Sequence, residues 1–165
     1  MARSLLRVAP ILLSLLLCLG CSGAGVIRSE GETRWSGSGL TITLPPGQWT
    51  ADVLEADRYV ELRNENDGAS LLVIRLEARK ELSPTVAIRK LFAAFDEKEL
   101  LAESPFTLAD GAQGARAEYV VAVGNRERRV MAAAFRKGPW MHDLAAWGMS
   151  RADFDGVVSS IAACE

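Results

Sequence analysis

The stretch from Gln113 to Trp147, QGARAEYVVAVGNRERRVMAAAFRKGPWMHDLAAW, decides the architecture. Two turn signals, Gly124-Asn125 and Lys137-Gly138-Pro139, divide it into three segments: about Gln113–Val123, Arg126–Arg136 and Trp140–Trp147. Connections this short join antiparallel neighbours, so the stretch reads as a three-stranded meander.

Toward the C-terminus, Ser150-Arg151-Ala152-Asp153 is a capping-box pattern, where the serine side chain satisfies a free backbone N–H at the start of a helix. Phe154, Val157, Val158 and Ile161 then recur at i, i+3, i+4 and i+7, which puts them on one helix face. Toward the N-terminus, Ser83-Pro84 opens another helix, with Ile88, Leu91, Phe92 and Phe95 at the same spacing. Before it, Arg58–Arg63 and Ser70–Arg79 read as a pair of strands around Asn64-Glu65-Asn66-Asp67-Gly68, whose Asp-Gly is a hairpin signal. Leu40-Thr41-Ile42-Thr43-Leu44 alternates cleanly and stops at Pro45-Pro46-Gly47, and a short strand is expected between Trp49 and Leu54. The expected class is α+β: a largely antiparallel sheet with two long helices packed on it, formed by residues 39–165 as one domain.

Two segments resemble a known group. Gly39-Leu40-Thr41-Ile42-Thr43-Leu44-Pro45-Pro46-Gly47-Gln48-Trp49 is similar to the opening of many bacterial PsbP-like lipoproteins. So is Arg136-Lys137-Gly138-Pro139-Trp140-Met141-His142-Asp143-Leu144, followed by Phe154 and the closing helix. The resemblance spans nearly the whole domain, and its motifs mark strands and turns, not chemistry. It implies a PsbP-like fold that works by docking onto protein partners. It transfers no binding residue.

The N-terminal end is an address. Arg3 and Arg7 precede an apolar run from Val8 to Leu19, the layout of a secretory signal peptide over residues 1–20. The run is well short of the ~20 residues that span a bilayer. Leu17-Cys18-Leu19-Gly20-Cys21-Ser22 resembles the lipobox of bacterial lipoproteins, with Cys18 where leucine is usual. The resemblance implies cleavage before Cys21 and lipidation of Cys21, a membrane partner through the acyl chains, and stable anchoring, because more than one chain is buried. Ser22 is not the inner-membrane retention aspartate, which implies the outer membrane, facing the periplasm. The remainder of residues 21–38 is rich in Gly, Ser and charge, with Trp35 its one large apolar residue, and reads as a flexible tether reaching roughly 20–25 Å.

Residues 1–20 contain two of the 19 basic residues and none of the 21 acidic ones, so the rest of the chain carries 17 against 21 and a net charge of −4. A nucleic-acid partner is set aside, since counterion displacement needs a basic stripe. With Cys18 removed and Cys21 lipidated, Cys164 has no intramolecular partner; it reads as a small apolar residue closing a packed helix, or as an intermolecular link.

Sharper chemistry finds little support. Gly148-Met149-Ser150-Arg151-Ala152 nearly matches a nucleophile elbow, but the triad base follows the serine in that motif, and the only histidine, His142, precedes it. His142 and Asp143 are strand neighbours pointing to opposite faces, so they cannot share a metal ion. Asp96, Glu99 and Glu103 read as one solvated helix face, and Asn64–Gly68 lacks the spacing of a calcium loop. No cofactor or metal site is expected. Trp140 and Trp147, seven apart on one strand, face opposite sides of the sheet and are the candidate partner surface, with core packing as the alternative. The expected function is a non-enzymatic, lipid-anchored protein-binding or assembly module acting on an unidentified envelope protein. The competing expectation is a small-ligand or lipid carrier with a pocket between sheet and helix.

Overall fold

A computed structural model describes residues 25–29, 32–55, 58–78 and 82–163. The signal peptide, Cys21 and Cys164 lie outside the described residues. Two antiparallel sheets are present. The smaller has the order β1 (Gly25–Ser29), β2 (Glu32–Gly37), β3 (Leu40–Leu44) and β11 (Ala162–Ala163). The larger has seven strands: β4 (Trp49–Glu55), β5 (Tyr59–Asn64), β6 (Ser70–Glu77), β10 (Trp140–Trp147), β9 (Arg126–Lys137), β8 (Gln113–Val123) and β7 (Lys98–Thr107).

The meander forms as expected. β8, β9 and β10 pair in unbroken antiparallel register, from Gly114↔Phe135 to Val123↔Arg126 and from Trp140↔Lys137 to Trp147↔Val130. β10 then pairs with β6, so Leu144 lies beside Val73 and Ala145 beside Leu72. Chain order dictates the next feature. β6 and β7 run the same way at separated positions in one sheet, and parallel strands need a crossover, usually helical. Helix α1 (Pro84–Leu91) makes it, passing over β10, β9 and β8. Ser83 caps it by accepting from Val86 N at 3.3 Å, and a 3₁₀ turn, Phe92–Ala94, ends it.

The large sheet therefore separates two cores. On one face Ala87 and Ile88 of α1, with Phe92 of the turn that follows it, pack on Ala117, Tyr119, Val121, Ala132 and Ala134. On the other, Leu71, Val73, Ala133, Phe135 and Leu144 meet Trp35, Leu40, Ile42 and Leu44 of the small sheet, with Phe154, Val157 and Val158 of helix α2 (Arg151–Ser159). The result is three layers: α1, the seven-stranded sheet, and the small sheet with α2.

Three expectations are corrected. Residues 21–38 are not a flexible tether throughout, because Gly25–Ser29 and Glu32–Gly37 are paired strands. Thr33 and Trp35 alternate inward, Trp35 with 0% exposure, and burial of that indole fastens the hairpin to the core. Ser38 and Gly39, read as the boundary between tether and domain, are the two-residue turn joining β2 to β3, with φ of 52° and 77°. The helices are not long: α1 has eight residues and α2 nine. Finally, Glu99 and Glu103 lie on strand β7, not on a helix face with Asp96. As an edge strand β7 is exposed along most of its length, so its sequence lacks the alternation that buried strands show.

Candidate functional site

The short helix leaves part of its sheet face uncovered. Eight helical residues span about 12 Å, whereas β8 and β9, with 11 and 12 residues, run roughly 36–40 Å. Where α1 gives way to the 3₁₀ turn, a cleft of about 390 Å³ opens between turn and sheet. Its floor is Leu72 of β6, Val121 of β8, Val130 of β9 and Ala145 of β10. Leu91, Phe92 and Phe95 form one wall, Trp147 the other, and Val123 and Arg128 the mouth toward the β8–β9 hairpin.

The phenylalanine wall is held from behind. The Phe92 ring is buried, stacked on Tyr119 with centroids 4.2 Å apart and tilted against Phe95 at 6.0 Å. The turn bearing Phe95 is tied by Phe95 N donating to Phe92 O (3.2 Å) and by the Lys98 ammonium donating to Phe95 O (2.6 Å). Ala145 matters by its size, since a larger residue there would fill the floor. The lining is apolar apart from Arg128. Arg129, its neighbour, points to the other face and pairs with Glu118. Arg128 itself is exposed and forms no ion pair among the described residues; Asp96 and Glu97, exposed on the nearby turn, make none with it.

The two singled-out tryptophans stand on opposite faces of unbulged β10. Trp147 lines the cleft. Trp140 lies under the Arg75 guanidinium, whose central carbon is 4.3 Å from the ring centroid, a cation–π contact.

The remaining candidates resolve into structural roles. Ser150 caps α2: its Oγ accepts from Asp153 N (3.1 Å) and donates to Asp153 Oδ2 (2.6 Å). His142 is buried at 2% exposure and stacked on Phe135 at 5.3 Å. Burial, with the positive charges of Arg75 and Lys137, pushes its pKa down to about 4, so the ring is neutral near pH 7. Asp143, on the other face, is pushed up to about 7 by burial alone. In the β5–β6 hairpin the carboxamide and carboxylate oxygens serve the turn itself: Asn64 Oδ1 accepts from Asn66 N and Asp67 Oδ1 from Ala69 N. No group of three or more His, Cys, Asp or Glu side chains gathers among the described residues. A second recess, about 90 Å³ beside α2, is crossed by ion pairs: Arg116 with Asp155 at 2.8 Å, and Arg151 with Glu118.

Sequence reading held a pocket between sheet and helix as its competing expectation but did not locate its lining, which comes from four strands, α1 and the turn that follows it. One signal pointed toward it. The Ile88-Leu91-Phe92-Phe95 stripe outlasts its helix, and its last members become the wall of an opening instead of the sealed core.

No protein-family model matches the sequence, and no curated protein matches it. Among solved structures the chain is similar to cyanobacterial PsbP (CyanoP) from Synechocystis sp. PCC 6803, with a TM-score of 0.62 and 20% identity over 87% of this chain and 98% of that one. A structure from Bacteroides thetaiotaomicron VPI-5482 aligns with a TM-score of 0.40 and 10% identity, over 79% of this chain and 47% of that one, too low to bear on the fold. The first likeness takes in nearly all of both chains, so the fold of this chain is PsbP-like.

Proposed function

We propose that this chain is a non-enzymatic accessory module of the cell envelope, lipid-anchored through Cys21 to the periplasmic face of the outer membrane, that binds a small apolar ligand in the α1 cleft. The observation that carries the proposal is the cleft. It is apolar, open to solvent and backed by rigid elements, and its volume lies within the ~300–1,000 Å³ typical of small-molecule sites. The lipobox-like segment around Cys21 supports the anchor, and the PsbP-like fold is compatible with an accessory role.

The binding test uses N-phenyl-1-naphthylamine, a neutral dye that fluoresces in apolar surroundings, with the full chain carrying Cys21→Ser. Saturable binding is expected, and Val123→Trp at the mouth should block it while leaving the melting transition in place. Absence of saturable binding sinks the carrier reading. For the anchor, mass spectrometry of the mature N-terminus should find a cleaved, acylated Cys21; an unmodified cysteine, or cleavage elsewhere, refutes it.

A second reading, assembly by docking an envelope protein, is favoured by Val53 and Leu54. They are 45% and 58% exposed on β4, an edge strand of the large sheet, and exposed apolar edges pair with partner strands. A pulldown from envelope extracts that yields no specific partner, or one unaffected by Leu54→Lys, counts against it.

A further inference from the structure

We infer that the ligand of the α1 cleft is a single-chain anionic amphiphile of the fatty-acid class, its tail between Phe92, Phe95 and Trp147 and its carboxylate on Arg128. The inference deepens the cleft reading and rests on it. Three features of the site converge on this chemistry. Apart from the Trp147 indole N–H, the side chains between the walls are hydrocarbon and none can accept a hydrogen bond, so a ligand with several polar groups would leave most of them unsatisfied inside. A volume of about 390 Å³ is at the small end for ligand sites, room for one chain and not for a two-chain lipid. The one charge in the lining is a cation, and it stands at the mouth.

That cation is also available. Eight other basic residues, from Arg34 to Arg151, are engaged in ion pairs with carboxylates, whereas Arg128 has none among the described residues. Arg126 is two residues along the same strand, on the same face and exposed, so the mouth presents positive charge on the β9 side. A guanidinium offers paired N–H donors in the geometry that a carboxylate accepts. A neutral tail-group analogue would gain the apolar contacts and forgo this pair. A cationic one would meet repulsion at the same place.

The experiment displaces N-phenyl-1-naphthylamine from the full chain carrying Cys21→Ser, at pH 8 and low salt. Competitors are dodecanoate, dodecanol and dodecyltrimethylammonium, each below its aggregation threshold. Dodecanoate should displace the dye about 10-fold more tightly than dodecanol, the factor expected when a charge-assisted pair contributes about 1.4 kcal/mol. Arg128→Gln, at an exposed position, should remove that advantage and leave dodecanol within twofold of its value. If dodecanol or the ammonium compound matches dodecanoate, or if Arg128→Gln leaves dodecanoate unchanged while the dye still binds, the anionic assignment is overturned and the cleft reading survives. If the dye itself does not bind, both fall together. An envelope protein that competes for the dye where none of the three amphiphiles does overturns the assignment in favour of docking.

Discussion

His142 and Asp143 are adjacent on β10, on opposite faces of one sheet and both nearly inaccessible, and burial shifts the base and the acid in opposite senses. His142 lies in the layer shared with Phe135, and neither its Nδ1 nor Asp143 Oδ1 has a hydrogen-bond partner among the described residues. Burial penalises the charged form of each. For the base that means a pKa near 4, and for the acid a pKa near 7.

The consequences for stability are opposite in sign. His142 is depressed from 6.5 to about 4, so its contribution is complete above pH 6.5 and is lost as pH falls toward 4. Asp143 is raised from 3.8 to about 7, so its contribution is complete below pH 3.8 and is lost as pH rises toward 7. Each slope is about 1.4 kcal/mol per pH unit, and between about pH 4 and 6.5 the two offset one another. Asp143→Asn should therefore gain on the parent as pH rises from 4 to 7, by about 4 kcal/mol at most. His142→Phe should gain on the parent as pH falls from 6.5 to 4, by about 3 kcal/mol at most. Urea denaturation of all three at pH 4, 5.5 and 7 measures both differences. A difference between variant and parent that does not change with pH rejects the buried titration of that residue.

The hairpin ahead of Gly39 is testable as part of the fold. Trp35 is fully buried among Leu40, Ile42 and the large sheet, and truncating a core aromatic costs about 3–5 kcal/mol. Trp35→Ala should lower stability by that amount, and a chain beginning at Gly39 should lose more, since β3 then lacks its β2 neighbour. Denaturation midpoints provide the comparison. A Trp35→Ala cost below about 1 kcal/mol would restore the tether description.

What the sequence displayed and what it concealed follow from burial. Leu40–Leu44, Gln113–Val123 and Trp140–Trp147 were legible to the residue, because each carries core-facing side chains and ends at a turn signal. β2 was concealed because only Thr33 and Trp35 are buried, within a run of Gly, Ser and charge; its strand character comes from tertiary contact. β7, beginning Lys98-Glu99-Leu100-Leu101, has the composition of a helix surface, and the crossover from β6 makes it a strand. The position and lining of the cleft were hidden for another reason. The cleft arises from the mismatch between helix length and strand length, and Arg128 gains meaning only beside Val121, Phe95 and Trp147.

Ser150 is the place to separate a cap from a nucleophile. Its hydroxyl is engaged with both the amide and the carboxylate of Asp153, and the only histidine is buried against Phe135. Ser150→Ala should cost about 1 kcal/mol of stability, the usual value of an N-cap. A fluorophosphonate probe should leave the parent unlabelled. Labelling that disappears in Ser150→Ala would falsify the cap-only role.

Glu118 gives the last test, because its charge is buried while its partners are not. Its side chain is 6% exposed, and it receives Arg129 Nε at 2.9 Å and Arg151 Nη2, both from arginines about two-thirds exposed. Removing the carboxylate with Glu118→Gln returns two guanidinium groups to water, where they are readily solvated, so the cost should be about 1–2 kcal/mol. Removing both arginines leaves the carboxylate buried with no counter-charge, and that loss should reach about 3–5 kcal/mol. The decisive comparison is the triple variant. Adding Glu118→Gln to Arg129→Ala/Arg151→Ala should recover stability, because it removes the stranded charge. Equal costs for the single and the double variant, with no recovery in the triple, would mean that Glu118 is solvated and that α2 is held to the sheet by Phe154, Val157 and Val158 and by the Arg116–Asp155 pair, with no contribution from Glu118.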